Sequence, residues 1–224
     1  MTRRHIAIEG PIGVGKTSLT RKLAEALGAD CLFEGADENP FLPGYYANPA
    51  RYALATQLHF LCQRTRQLQQ GLQGDLFRGG LVADFMFEKD RLFARLALEP
   101  DEFTLYEEIF LRFAPQVPTP DLVIFLQAPV AVLQQRIAQR GIAYEQGMED
   151  GYLARLAEAY SEFFAHYRAA PVMHVDAVAV DLVACPAHFT ALLDAIAAGR
   201  HVLSLPDGGH TAPTATPGEA RLAI

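Results

Sequence analysis

The sequence predicts an α/β fold, a parallel sheet of about five strands flanked by helices on both faces, with a helical lid. Three observations carry this reading. Apolar runs without alternation, as at Ile6-Ala7-Ile8 and Leu122-Val123-Ile124-Phe125-Leu126, are the pattern of strands covered on both sides. Segments with apolar residues at helical spacing come between such runs. A strand-then-helix order, repeated along the chain, requires right-handed crossovers and puts the strand carboxyl ends on one edge.

The elements follow in order. Residues 4–9 read as the first buried strand and 16–27 as its helix, ended by Gly28 at a C′ position. Cys31-Leu32-Phe33 reads as a short strand that delivers Glu34 at its end. From Gly35 to Asn48, Asn39-Pro40, Pro43-Gly44 and Tyr45-Tyr46 are loop chemistry. Pro49 then opens the longest helical pattern, to about Leu72, with Leu54, Leu58, Leu61, Leu68 and Leu72 at helical spacing. Its length and the spread of its apolar residues suggest a face for a second subunit. Leu81-Val82-Ala83 is a strand ending in Asp84; 87–97 and 101–114 are helical, parted by Pro100. After the strand at 122–126, Pro129 opens a helix that stops at Gly141. A helix over 150–168, a strand over 171–175 and a helix over 186–198 complete one domain of residues 1–200. From about 201 the chain turns rich in Gly, Pro, Thr and Ala without periodicity, which predicts a disordered tail over 201–224.

Between the first strand and its helix stands Gly10-Pro11-Ile12-Gly13-Val14-Gly15-Lys16-Thr17, followed by Ser18. It fits G-x-x-x-x-G-K-[ST] in the required context and places the fold in the P-loop NTPase class. Glycines let successive N–H groups face one phosphate chain, and the helix N-terminus adds positive potential. Lys16 reaches the outer phosphates and the Thr17 hydroxyl holds Mg²⁺. An ordinary Gly-rich turn accounts for the glycines but not for Lys16-Thr17 as well. The reading is therefore an ATP-binding loop with Mg²⁺ as cofactor.

Bulk properties narrow the partners. A net charge of -7 argues against a nucleic-acid backbone, though a phosphate site needs only a few local cations. Cys31, Cys62 and Cys185 lie far apart without metal-ligand spacing and read as reduced, mostly buried thiols of a cytoplasmic protein. No apolar run is long enough to span a bilayer, and no signal peptide is evident.

A phosphate loop names a superfamily and not a substrate. Asp84 ends a buried strand, where such proteins keep a carboxylate supporting magnesium; an equally good reading is a helix N-cap. Glu34 stands at a strand end in the same way and can accept a proton from an attacking hydroxyl, although a lone Glu there is more often a solvated loop residue. Arg136 and Arg140, one turn apart ahead of Gly141, suit a lid over transferring phosphates, the rival being a solvated helix face. Gln57 and Arg64, seven residues apart, fall on one side of their helix.

Taken together, residues 6–17, Phe-Glu-Gly-Ala-Asp-Glu-Asn-Pro-Phe-Leu (33–42), Tyr46 with Gln57, and Ala-Asp-Phe-Met-Phe-Glu-Lys-Asp-Arg (83–91) resemble the deoxynucleoside kinases. Within that family the chain looks most like the bacterial deoxyguanosine/deoxyadenosine kinases, over residues 4 to 198. The resemblance implies a homodimeric salvage kinase that phosphorylates the 5′-hydroxyl of a purine deoxynucleoside, deoxycytidine being a further candidate. It implies Glu34 as general base, Tyr46 and Glu145 on the sugar 3′-hydroxyl, Gln57 on the base, Arg64 and Asp90 as a pair reading the base edge, and Arg136 and Arg140 as lid arginines. Phe60, Phe87 and Phe113 are candidates to sandwich the ring, with core packing the plainer reading of each.

Two positions depart from the family pattern. Phe85 stands where many members have an arginine that helps hold the 5′-hydroxyl, a task left vacant or passed to Lys89 or Arg91. Ile142 stands in place of the second arginine of an Arg-Gly-Arg lid motif. The rival readings are a nucleoside monophosphate kinase of the thymidylate kinase kind, which needs cations for an acceptor phosphate, and a P-loop nucleotide sensor without catalysis.

Overall fold

Strands Arg4–Glu9 (β1), Asp30–Leu32 (β2), Gly80–Ala83 (β3), Leu122–Gln127 (β4) and Val172–Asp176 (β5) form one sheet. Every pairing is parallel and the order is β2-β3-β1-β4-β5. The computed structural model describes residues 4–73, 80–142, 151–203 and 205. Its helices are Lys16–Leu27 (α1), Leu42–Ala47 (α2), Pro49–Gln73 (α3), Lys89–Ala97 (α4), Pro100–Phe113 (α5), Val130–Arg140 (α6), Tyr152–His166 (α7) and Pro186–Ala197 (α8).

The non-alternating strands are buried on both faces, as their composition requires. Ile6, Ile8, Ile124 and Met173 pack on one side with Leu19 and Leu23 of α1 and Leu192 of α8. Ala7, Val123 and Phe125 pack on the other with Leu156, Tyr160 and Phe164 of α7. Each large aliphatic side chain removed from water in this way contributes roughly 1.5–3 kcal/mol. A third cluster joins Leu61 and Leu68 of α3 to Phe85, Phe87, Tyr106 and Phe110. Leu54 and Leu58 pack against the same cluster. The apolar spread of α3 is thus largely taken up within the chain itself.

Three details differ from the sequence reading. The stretch 35–48 holds a 3₁₀ turn at Ala36–Glu38 and the helix α2. Its Pro and Gly residues are loop signals, but Pro43 lies in the first turn of α2, where a missing N–H costs nothing. Asn39 anchors that turn: its side chain accepts from the Phe41 N–H at 3.0 Å and donates to the Thr56 carbonyl at 3.1 Å. Second, β2 ends at Leu32, so Glu34 stands two residues beyond it, and Cys31 on this edge strand is exposed rather than buried. Third, Leu203 is fully buried in the α1–α8 cluster and Leu205 packs against it. The core therefore takes in two residues of the stretch assigned to a tail. Residues 206–224 lie outside the described ones.

The topology fixes where a ligand fits. From β1 the chain builds β2 and β3 on one side of the sheet and later β4 and β5 on the other. The crevice at such a reversal, beyond the strand carboxyl ends, is where open α/β sheets bind ligands. Gly10, Asp84 and Glu34 all follow strands at that edge. Among the described residues no helix is long and apolar enough to cross a membrane.

Candidate active site

The segment from Gly10 to Gly15 turns tightly between β1 and α1. Gly10 has φ 144°, and a Cβ there would lie 2.3 Å from the Leu126 carbonyl oxygen. Gly13 has φ 84°, and its Cβ would meet the Leu133 carbonyl oxygen at 2.9 Å. Neither position admits a side chain, so the glycines are fixed by geometry as well as by conformation. The Val14 N–H donates to the Pro11 carbonyl at 3.3 Å, while the Val14 side chain is buried in the core. Lys16 closes the turn, donating to the carbonyls of Gly10 at 2.7 Å and Pro11 at 3.2 Å. The loop curls around its own lysine, with Thr17 and Ser18 exposed at the start of α1.

A cleft of about 670 Å³ extends from this loop. On the loop side it is lined by Ile12, Gly13, Gly15, Lys16, Thr17, Ser18, Arg136 and Arg140. On the far side come Glu34, Tyr45, Tyr46, Gln57, Phe60, Arg64, Lys89, Phe93, Tyr152 and Tyr160. The volume is in the range of small-molecule sites.

Asp84 joins the two sides. Its Oδ2 accepts from the Thr17 hydroxyl at 2.7 Å and its Oδ1 from the backbone N–H of Glu34 at 2.8 Å. The next helix begins only at Lys89, with Glu88 at its N-cap position, so Asp84 caps no helix. Thr17 and Asp84 offer hard oxygen donors beside the phosphate loop, a set that fits Mg²⁺ carried on nucleotide phosphates.

Glu34 sits between two cations. Lys89 donates to its Oε2 at 2.8 Å, and the Arg64 guanidinium pairs with its Oε1. Burial alone pushes the Glu34 carboxyl up, but Lys89 and Arg64 outweigh that and hold it well below the usual carboxylate range. Arg64 also pairs with Asp90, which is fully buried. Behind Lys89 lies Glu9, likewise fully buried, at 3.9 Å. Across the floor of the site the charges therefore alternate: Glu9, Lys89, Glu34, Arg64, Asp90. Lys16 feels this row from the loop side. Its own burial and then the Lys89 charge lower its ammonium from the ordinary value, against Glu9, Glu34 and Asp84.

The remaining sequence candidates divide. Gln57 and Arg64, both of α3, line the cleft together, and Phe60 between them lies under the Arg64 guanidinium at 4.6 Å. Tyr46 lines the cleft beside Tyr45. Asp90 does not line it and meets it only through Arg64. Phe87 stacks on Phe110 at 4.6 Å, and Phe113 packs in the same helical core, so neither lines the cleft. Arg136 donates to the carbonyls of Val14 at 3.3 Å and Ala177 at 3.0 Å, bracing the phosphate loop. Glu145 lies outside the described residues.

The two departures have structural consequences. Phe85 is fully buried in the helical core and cannot serve the cleft. Arg91 pairs with Glu107 at the surface, whereas Lys89 lines the cleft. Glu9, Tyr152 and Tyr160 were not among the sequence candidates. A charge closing the apolar run Ile6-Ala7-Ile8 was the one available signal for Glu9. The two tyrosines repeat at the spacing of core residues on a helix and carry no mark of a site.

Comparison with known proteins agrees with this architecture. The family model for deoxynucleoside kinase matches residues 6–199. A deoxyguanosine kinase from Bacillus subtilis is 33% identical over 71% of this chain and 77% of its own length. A deoxyadenosine kinase from Lactobacillus acidophilus is 32% identical over 80% of this chain and 87% of its own. The solved structure of a deoxyadenosine kinase from M. mycoides with bound dATP shares the fold, with a TM-score of 0.75 over 87% of this chain and 100% of that one at 21% identity. The match of nearly the whole chain, over a sheet that brings a phosphate loop and a cleft to one edge, makes this protein a member of the deoxynucleoside kinase family.

Proposed function

We propose that this deoxynucleoside kinase moves the γ-phosphoryl group of ATP to the 5′-hydroxyl of a purine deoxynucleoside, deoxyguanosine or deoxyadenosine, with deoxycytidine as a further candidate acceptor. The observation that carries this is the double use of Asp84, one oxygen on Thr17 and the other on the Glu34 backbone, which ties the phosphate side to the acceptor side.

In this reading Thr17, supported by Asp84, holds Mg²⁺, which when bound neutralises charge on the outer phosphates. Lys16 leaves its loop carbonyls for the phosphates, Arg140 reaches them from α6, and Arg136 holds the loop. Glu34 accepts the hydrogen bond of the 5′-hydroxyl and then its proton. The same carboxylate also orients the hydroxyl in line. That suits a loose transition state, in which positioning and charge neutralisation dominate. Gln57 offers a donor and an acceptor to the base. Arg64, its orientation fixed by Asp90, reads the purine edge, and Tyr46 with Glu145 holds the sugar 3′-hydroxyl.

The acceptor side favours an uncharged nucleoside over a nucleotide. Its cations, Lys89 and Arg64, already face carboxylates. The purine assignment draws on the deoxyguanosine and deoxyadenosine kinases among its relatives. We also place the enzyme in the cytoplasm and read it as a homodimer; α5, which packs beside α3, leaves Leu105 and Leu111 exposed, apolar positions suited to a partner. Light scattering at micromolar concentration tests the dimer, a monomer mass contradicting it. Supplying ATP with either deoxyguanosine or deoxyguanosine monophosphate tests the reaction. Phosphorylation of the nucleoside alone is expected, and preference for the monophosphate would reverse the assignment.

A further inference from the structure

Glu9 closes β1 in the middle of the sheet and is fully buried, yet no step of the reaction uses it. Its side chain leaves the strand on the face of Ala7, which α7 covers. The positions before it, Ile6, Ala7 and Ile8, are all apolar, and burying a carboxylate among them is costly unless donors meet it. Three donors do, from three elements. Its Oε2 accepts from the N–H of Gly10 at 3.1 Å and from the Tyr160 hydroxyl at 3.0 Å. Its Oε1 accepts from the N–H of Met86 at 2.8 Å. Donors therefore converge on both oxygens, an arrangement that a carboxylate satisfies and an amide does not. A glutamine would turn its NH₂ against the N–H of Met86, or against Gly10 and Tyr160 together. Lys89, at 3.9 Å, attracts the carboxylate from too far for a hydrogen bond.

Resting on the kinase reading above, we infer that Glu9 is a positioning residue for phosphoryl transfer, with Tyr160 as its partner, fixing the phosphate loop against the segment that carries Asp84. The two peptides it holds lie on opposite sides of the reacting centre. Gly10 opens the phosphate loop, and its carbonyl receives Lys16 at 2.7 Å. Met86 stands two residues past Asp84, which reaches Thr17 and the backbone of Glu34. Asp84 thus ties the two sides through a threonine hydroxyl at the exposed start of α1, and Glu9 ties them again in the core. Two ties at different depths set an orientation that either alone leaves free. Tyr160 brings in α7, whose first residue, Tyr152, lines the acceptor side. Its ring is held by Phe125, stacked at 6.0 Å, and by Phe93, edge-on at 6.1 Å, so the hydroxyl is aimed at Glu9 by packing. Transfer requires the reacting atoms about 3–3.5 Å apart and in line, and a shift of about 1 Å caused from a distance can cost about 10²-fold. Glu9 acts on that alignment through the N–H groups of Gly10 and Met86.

The test is steady-state kinetics of Glu9→Gln, Tyr160→Phe and the double variant, using ATP with deoxyguanosine and with deoxyadenosine. Turnover is counted per ATP-binding site, measured by equilibrium dialysis, and each protein is given a melting curve. Glu9→Gln should lower kcat per site by about 10–100-fold while both KM values change little. Tyr160→Phe keeps the ring in its stack and removes one hydrogen bond, so its loss should be smaller. It should add almost nothing to Glu9→Gln, since residues acting through one group are not additive. A residue needed only for folding would lower the melting temperature and the number of ATP-binding sites but leave kcat per site at the wild-type value. That outcome in Glu9→Gln overturns the inference. Losses that add in the double variant overturn the part given to Tyr160. Where Glu9→Gln does not fold, Tyr160→Phe is read alone, and a wild-type kcat per site then overturns the inference. A wild-type enzyme that phosphorylates no deoxynucleoside brings down the kinase reading and this inference with it, an outcome distinct from the others.

Discussion

Thr17 donates its hydroxyl hydrogen to Asp84 over 2.7 Å, across 67 residues of chain. The contact joins the first residue pair of α1 to the end of β3 and leaves the second Asp84 oxygen for the backbone of Glu34. Asp84→Asn keeps the shape of the side chain but removes its charge. Activity, or the Mg²⁺ concentration needed for half of it, should worsen by about 10–100-fold, as for other groups supporting a metal ligand. A Mg²⁺ titration of initial rates measures this; an unchanged half-saturation and rate would take Asp84 out of the site.

Glu34→Gln keeps size and hydrogen bonding but loses the proton acceptor. We expect kcat to fall by roughly 10²–10⁴-fold, the range for losing a general acid or base, with nucleoside binding largely kept. The same residue makes a pH prediction. Its carboxyl lies well below the ordinary 4.5 in the folded protein, so the stability it contributes is present above that value and fades as the pH falls below it. Acid unfolding followed by circular dichroism should therefore cost the wild type more than Glu34→Gln below about pH 4.5. Parallel acid curves would mean that Lys89 and Arg64 do not acidify Glu34.

Arg64 holds both Glu34 and Asp90, so its removal should act twice. Replacing Arg64 and Asp90 by small apolar residues should lower turnover on every acceptor, because Glu34 loses a neighbour. It should lower turnover on purine deoxynucleosides further, because thymidine lacks the groups an arginine reads at N7 and the 6-position. Comparing kcat/KM on deoxyguanosine and thymidine separates the two effects. Equal losses would leave the pair a purely supporting role.

The buried Leu203 sets where the chain can be cut. Truncation after residue 205 should leave the melting temperature unchanged. Truncation after residue 202 removes Leu203 from the α1–α8 cluster and should cost about 2–5 kcal/mol, the range for emptying a buried leucine site. Chemical denaturation of the two products checks this, and equal stabilities would show that Leu203 contributes nothing to the core.

Much of this was legible in the residues because it depends on local chemistry. The phosphate loop is read from glycines that only a tight turn requires, followed by Lys16-Thr17, and Ile6-Ala7-Ile8 announces a strand covered on both faces. Gln57 and Arg64 share a helix side by spacing alone. What depends on distant packing was not legible. Nothing in the sequence tells that Lys89 turns inward to Glu34 while Arg91, two residues on, turns out to Glu107. That Phe85 belongs to the helical core, and that Glu9 gathers donors from three elements, follows only once those elements meet. Leu203 was hidden by its polar and glycine-rich surroundings, a composition read over a window that a single buried leucine does not alter.

Phosphorylation of purine deoxynucleosides is measured by kcat/KM with ATP on deoxyguanosine, deoxyadenosine, deoxycytidine and thymidine, with Lys16→Ala as control. The products should be 5′-monophosphates, with the highest values on one or both purines, the lowest on thymidine, and no turnover by a folded Lys16→Ala protein. Thymidine as the preferred acceptor, or near-wild-type turnover without Lys16, would contradict it.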